Sequence, residues 1–148
     1  MKNAIPLTSV FLISVFLFSA ERSFVQLISR QKDITGFWQA TVEGTDFCDI
    51  FVYHFYPDQT GQLCGVCYIF RNGKKKNTIV IDSISFHRKS VYLKFNGLFK
   101  MEYRGYFIAS NRTIGGKLFY PDSTSVPWVL KKLYIKSIDE IFGKGHLK

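Results

Sequence analysis

Residues 90–96, SVYLKFN, and 100–107, KMEYRGYF, decide the fold. In the first, Val91, Leu93 and Phe95 alternate with Ser90, Tyr92, Lys94 and Asn96; in the second, Met101, Tyr103, Gly105 and Phe107 alternate with Glu102, Arg104 and Tyr106. A period of two sends successive side chains to opposite faces of a strand, so each segment has one apolar and one wet face. Working outward, similar runs span Phe37 to Glu43, Phe47 to Tyr56, Gln62 to Phe70, Thr78 to Phe86, Thr113 to Tyr120 and Val126 to Leu133. With Ser90 to Asn96 and Lys100 to Ala109 they make eight, separated by Gly, Pro, Asn and Asp at the spacing of a sandwich or barrel. Pro57 to Gly61 and Arg71-Asn72-Gly73 are turn sequences, and links this short imply antiparallel neighbours. Eight half-apolar strands need a second sheet or closure on themselves. The expected fold is all-β, an eight-stranded antiparallel up-and-down barrel over residues 36–133.

A chain of 148 residues with 47% hydrophobic and 21% charged content builds one domain and is too apolar for disorder. A net charge of +9 disfavours basic partners and permits anionic ones. The load of 15 Phe, 8 Tyr and 2 Trp speaks for strands and an aromatic core rather than a nucleic-acid-binding tail. Residues 1–20, MKNAIPLTSVFLISVFLFSA, have Lys2 as a positive n-region and an apolar run from Val10 to Phe18, which resembles a secretory signal peptide. This predicts a secreted or periplasmic protein with a linker over 21–35. After the last strand, Ile135, Ile138, Ile141 and Phe142 fall at helical spacing and Ser137 with Glu140 has the S-x-x-E capping form, predicting a helical tail over 134–148 that docks on the barrel. Asn111-Arg112-Thr113 matches the glycosylation acceptor pattern.

Several stretches together resemble the small lipocalin-like (calycin-type) β domain of exported bacterial proteins, often found ahead of a peptidase or α/β-hydrolase domain. They are Gly36-x-Trp38, Asp58-x-x-Gly61-x-Leu63, Ile81 to Phe86, Tyr103-x-Gly105, Ile114-x-Gly116-x-Leu118 and Pro127 to Lys132. The resemblance implies that Trp38 plugs one end of the barrel. It also implies a late Arg stacked on the Trp38 ring; this chain departs from that, offering Lys131 or Lys132, with Lys132 as the closing partner and a poorer, non-planar cation–ring contact. No G-x-S-x-G elbow or Ser-His-Asp set accompanies these motifs, so the resemblance implies a domain and not an activity.

The chemistry-bearing residues are sparse. Cys48, Cys64 and Cys67 are odd in number. A hairpin turning at residues 58–61 places Cys48 opposite about residue 71, some seven residues from Cys64, or on the order of 20 Å at ~3.3 Å per residue. That is beyond disulfide reach. Cys64-x-x-Cys67 on a strand sends the two sulfurs to opposite faces, against redox or zinc work. His54 and His87 are single strand histidines, and Asp46/Asp49 and Asp139/Glu140 lack an apolar pocket to separate their pKa values. No catalytic residue, metal or cofactor is expected.

The expectation is therefore an exported, non-enzymatic barrel that binds a small apolar or amphipathic ligand, or acts as an interaction module for an exported partner; nucleic acid is not expected. Candidate interior residues are Phe51, Tyr53, Phe55, Ile84, Phe86, Leu93, Phe95, Tyr103 and Phe107, whose competing reading is a filled core, since small barrels often pack solid. Two rivals are a fragment of a hydrolase-associated protein or thiol-dependent enzyme, using Cys67 or His54, and a peripheral contact with anionic lipid or glycan. The latter would use Arg71, Lys74, Lys75 and Lys76, read as a loop beside Tyr68 and Phe70.

Overall fold

The computed structural model describes residues 34–44, 46, 48–96, 100–108 and 112–142. The leader, the linker up to residue 33, Asn111 of the acceptor tripeptide and the end of the tail from residue 143 lie outside the described residues.

The strands are β1 (Gly36–Glu43), β2 (Cys48–Pro57), β3 (Leu63–Arg71), β4 (Lys74–Val80), β5 (Ser83–His87), β6 (Ser90–Phe95), β7 (Met101–Ile108), β8 (Thr113–Phe119) and β9 (Ser125–Leu133), followed by a single helical turn, α1 (Asp139–Phe142). They form one antiparallel sheet in the order β4-β3-β2-β1-β9-β8-β7-β6-β5. First and last strands pair in its middle, with Phe37 opposite Leu133, Trp38 opposite Lys132 and Gln39 opposite Lys131. Two expectations need correction. The described residues form nine strands, because the run Thr78 to Phe86 is broken between β4 and β5 by a corner at Ile81-Asp82. The ladder also does not continue from β4 to β5, so the sheet is a curled half-barrel with two edges and not a closed eight-stranded barrel.

The corner crosses from one edge to the other. The Ile81 N–H donates to the Gly65 carbonyl of β3 at 3.0 Å, and the Asp82 N–H donates to the Lys94 carbonyl of β6 at 2.9 Å. The Asp82 carboxylate then accepts the Asn96 N–H just past β6. The β2–β3 turn is held by Asp58, whose Oδ1 accepts from the Thr60 and Gln62 N–H groups at 2.8 and 2.9 Å. Between β3 and β4, Asn72 and Gly73 have φ of 50° and 76°. Two positive φ values make the hairpin turn whose twist matches that of its strands, which Asn-Gly supports at least cost. The resulting register sets Asp49 opposite Arg71. Cys48 is thus one step further on than expected, its N–H donating to Asn72 Oδ1 at 3.0 Å.

The inner face carries the core. Trp38, Tyr53, Phe55, Leu93, Tyr103, Phe107, Ile114 and Leu130 are buried in one cluster that also takes in Ile34 and Ile81. On the outer face Phe37, Val52 and Phe70 form a second cluster under Ile135, Ile138 and Ile141. Ile135, Ile138 and Ile141 therefore pack on β1–β3 as their spacing predicts, and among the described residues the tail's helix covers Asp139–Phe142. Its capping is shifted by one residue: Glu140 Oε1 accepts from the Lys136 N–H at 3.1 Å, while the Ser137 carbonyl accepts from the Glu140 N–H at 3.3 Å.

Candidate functional site

The inner face divides into a filled half and a hollow half. At the filled end Trp38 is fully buried, with its indole Nε1 donating to the Ile34 carbonyl at 2.7 Å and its ring meeting Phe107 edge-to-face at 5.7 Å. Lys132 Nζ lies 5.3 Å from the Trp38 ring centre, a cation–ring contact. Phe86 packs edge-on against Phe107 at 5.5 Å. Phe55, Ile81 and Ile84 crowd around Gly65, where an added Cβ would meet their side chains at 2.9 to 3.0 Å. Among the described residues this end is closely packed.

Toward the β1–β2, β3–β4 and β8–β9 turns the same face opens into a cavity of about 440 Å³. Its wall is largely apolar, with Val42, Phe51, Ile69, Ile79, Met101 and Leu118 contributing. Tyr53, Cys67, Phe95, Tyr120 and Trp128 complete the lining. Polar groups inside it are satisfied. Trp128 Nε1 donates to the Tyr53 hydroxyl at 3.1 Å, and Phe51 meets Trp128 edge-to-face at 4.9 Å. Burial pushes the Tyr53 phenol far above its ordinary range, and the nearby Cys67 acts in the same direction. Burial likewise drives the Cys67 thiol up to about 12, with the Tyr53 hydroxyl only partly offsetting it. Because the thiolate is the nucleophile, that burial works against Cys67 acting as one.

The cavity also touches an ion pair, Asp49 with Arg71. Arg71 Nε and a terminal guanidinium nitrogen donate to the two Asp49 oxygens at 2.7 and 2.6 Å, a bidentate fork. The Arg71 hydrogen bond holds the Asp49 carboxyl below its ordinary value against an opposing burial effect.

All nine interior candidates lie on the inner face, but they do not gather in one place. Phe51, Tyr53 and Phe95 line the cavity, whereas Phe55, Ile84, Phe86, Leu93, Tyr103 and Phe107 belong to the packed core. The basic run is also divided. Lys74, Lys75 and Lys76 are not in a loop but begin β4, and only Asn72-Gly73 forms the turn. Phe70 pairs with Lys75 and Ile69 with Asn77, so Lys76 is the extra residue of a bulge. Lys74 pairs with the inward Arg71, while Lys75 lies outward with its Nζ 5.0 Å over the Tyr68 ring. The run therefore splits between faces and forms no single patch.

The remaining candidates are placed simply. Cys48, Cys64 and Cys67 are unpaired thiols. His54 lies on the outer face, stacked on Phe37 at 4.0 Å, and burial lowers its pKa. Asp46 and His87 are exposed, and among the described residues no three His, Cys, Asp or Glu side chains converge on a metal position.

The sequence reading missed Trp128, Asp49 and Ile69 as cavity residues. Strand parity carries the signal for each: Asp49 falls in step with Phe51, Tyr53 and Phe55, Ile69 with Leu63, Gly65 and Cys67, and Trp128 with Val126 and Leu130. The one-residue offset that set Cys48 opposite residue 71 is what concealed the Asp49–Arg71 pair. No protein-family model, curated protein or solved structure matches the chain.

Proposed function

We propose that this chain is an exported, non-enzymatic, lipocalin-like cup that takes a small apolar or amphipathic ligand into the open half of its inner face. One observation carries the reading: the cavity of about 440 Å³, walled by apolar side chains and touched by the Asp49–Arg71 ion pair. Its volume lies in the range of small-molecule sites, and at ~30 Å³ per water-sized group it has room for about 15 of them. A few fixed polar groups on an apolar wall suit an elongated molecule with one polar end. The leader of residues 1–20 supports the exported part of the reading, and the G-x-W opening with Lys132 over Trp38 supports the lipocalin-like part.

Titration with the neutral fluorophore N-phenyl-1-naphthylamine tests this. The probe is expected to gain emission on entering the cavity, with energy transfer from Trp128. Ile69→Trp, which places an indole into the open space, is expected to weaken binding at least about tenfold, or ~1.4 kcal/mol, while far-ultraviolet circular dichroism is unchanged. Val129→Trp, on the outer face and 44% exposed, is the control and should bind as the parent does. Equal affinity for the parent and Ile69→Trp would remove the proposal.

A further inference from the structure

We infer that the mouth of the cavity receives a singly negative head group, so that the ligand is an anionic amphiphile whose apolar body lies against Phe51, Ile69 and Trp128. The inference rests on the cavity being a ligand site and adds the charge of what enters it. Three charged residues stand in register across three neighbouring strands: Asp49 on β2 faces Arg71 on β3, and Arg71 faces Lys74 on β4. Asp49 and Arg71 both line the cavity, and directly paired residues project to the same side of a sheet, which puts Lys74 on the mouth's side as well.

The row holds one carboxylate against two cations. Arg71 directs its fork at Asp49, and the pair is neutral. Lys74, directly opposite Arg71, then leaves the row with one positive charge in excess. Among the described residues Lys74 makes no ion pair. The other described carboxylates of this end make no ion pair with Lys74. Glu43 has the outward parity of β1, Asp46 is exposed in the β1–β2 connection, and Asp122 is held by the Thr124 N–H and hydroxyl at 3.0 and 2.6 Å. A head group carrying one negative charge balances the row, with Asp49 holding the Arg71 fork in place beside it. A cationic head would meet two like charges.

Three ligands with one tail decide the matter: decanoate, decan-1-ol and decyltrimethylammonium, each displacing N-phenyl-1-naphthylamine from the protein at pH 8 and low salt. Decanoate is expected to displace the probe at a concentration at least fivefold below decanol, with the ammonium weakest. Lys74→Gln is expected to abolish decanoate's advantage and leave decanol unchanged, whereas Lys75→Gln, on the outward side, changes neither. Decanol or the ammonium binding as well as decanoate would overturn the inference while leaving the cavity reading intact. So would a decanoate advantage that survives Lys74→Gln or falls equally with Lys75→Gln. Failure of every ligand, the probe included, would overturn both.

Discussion

Gly116→Ala is expected to lower the urea midpoint by more than about 1 M, a loss of about 3 kcal/mol or more in a protein of ordinary denaturant sensitivity. Gly116 on β8 lies opposite Gly105 on β7. A methyl at Gly116 would sit 2.3 Å from the Arg104 carbonyl oxygen and 2.6 Å from the Gly105 Cα. Those are backbone atoms of the neighbouring strand, which no side-chain rotation can move. The close approach exists because the Tyr103 ring folds across Gly105, where a Cβ would meet its hydroxyl oxygen at 2.4 Å. From there the buried hydroxyl lies 3.2 Å from the Ile114 carbonyl and 3.4 Å from that of Trp128, within reach of donating to either. The paired glycines and the tyrosine thus form one bend in the sheet, with the aromatic covering the backbone that the glycines bare. Gly115→Ala is the matching control: its methyl would meet only the end of the Ile108 side chain, which is 44% exposed and free to turn aside. It should cost less than about 1 kcal/mol. Equal midpoints for the two variants would remove the account of the bend.

Trp38→Ala is expected to destabilise the protein by about 3–5 kcal/mol, a substantial part of the ~5–15 kcal/mol that holds a domain folded. The indole has no exposed surface, and its removal would leave a void between Phe107 and Ile34 and strand the Ile34 carbonyl. In a melt followed by circular dichroism this should appear as a Tm lower by about 10 °C or more. Trp38→Phe separates the two contributions. It keeps most of the aromatic volume and loses the 2.7 Å hydrogen bond, so about 1–2 kcal/mol of the loss should remain. A Tm within about 3 °C of the parent for Trp38→Ala would mean that the filled end of the sheet does not depend on its plug.

The alternation in 90–96 and 100–107 was legible because it survives in the structure residue by residue: Val91, Leu93, Phe95, Tyr103 and Phe107 all point into the core. The corner at Ile81-Asp82 was harder, since 78–86 contains β-branched and aromatic residues at almost every position. A signal was nonetheless present. The inward apolar residues run odd at Ile79 and Ile81 and then even at Ile84 and Phe86, and a strand cannot change parity without a bend. The hollow half of the inner face was not legible at all. Phe51 and Phe55 have the same type and the same parity, yet one lines a cavity and the other is packed solid. The difference depends on which side chains arrive from strands distant in sequence, such as Trp128 and Leu118. The division of Lys74 and Lys75 follows from strand alternation once Lys74 opens β4, and the bulge then falls at Lys76, its position set by backbone geometry across the pair and not by composition.

The pairing of the first and last strands in the middle of the sheet has a kinetic consequence. Residues 36–80 and 83–133 are each a run of hairpins whose contacts are local, and such structure assembles early. The β1–β9 ladder has three register pairs against seven in β8–β9, and it joins residues nearly a hundred positions apart. Two meanders should therefore form first and zip together last. Substitutions at Gln39 or Lys131 are expected to hasten unfolding in stopped-flow chevrons while leaving the refolding limb almost unmoved.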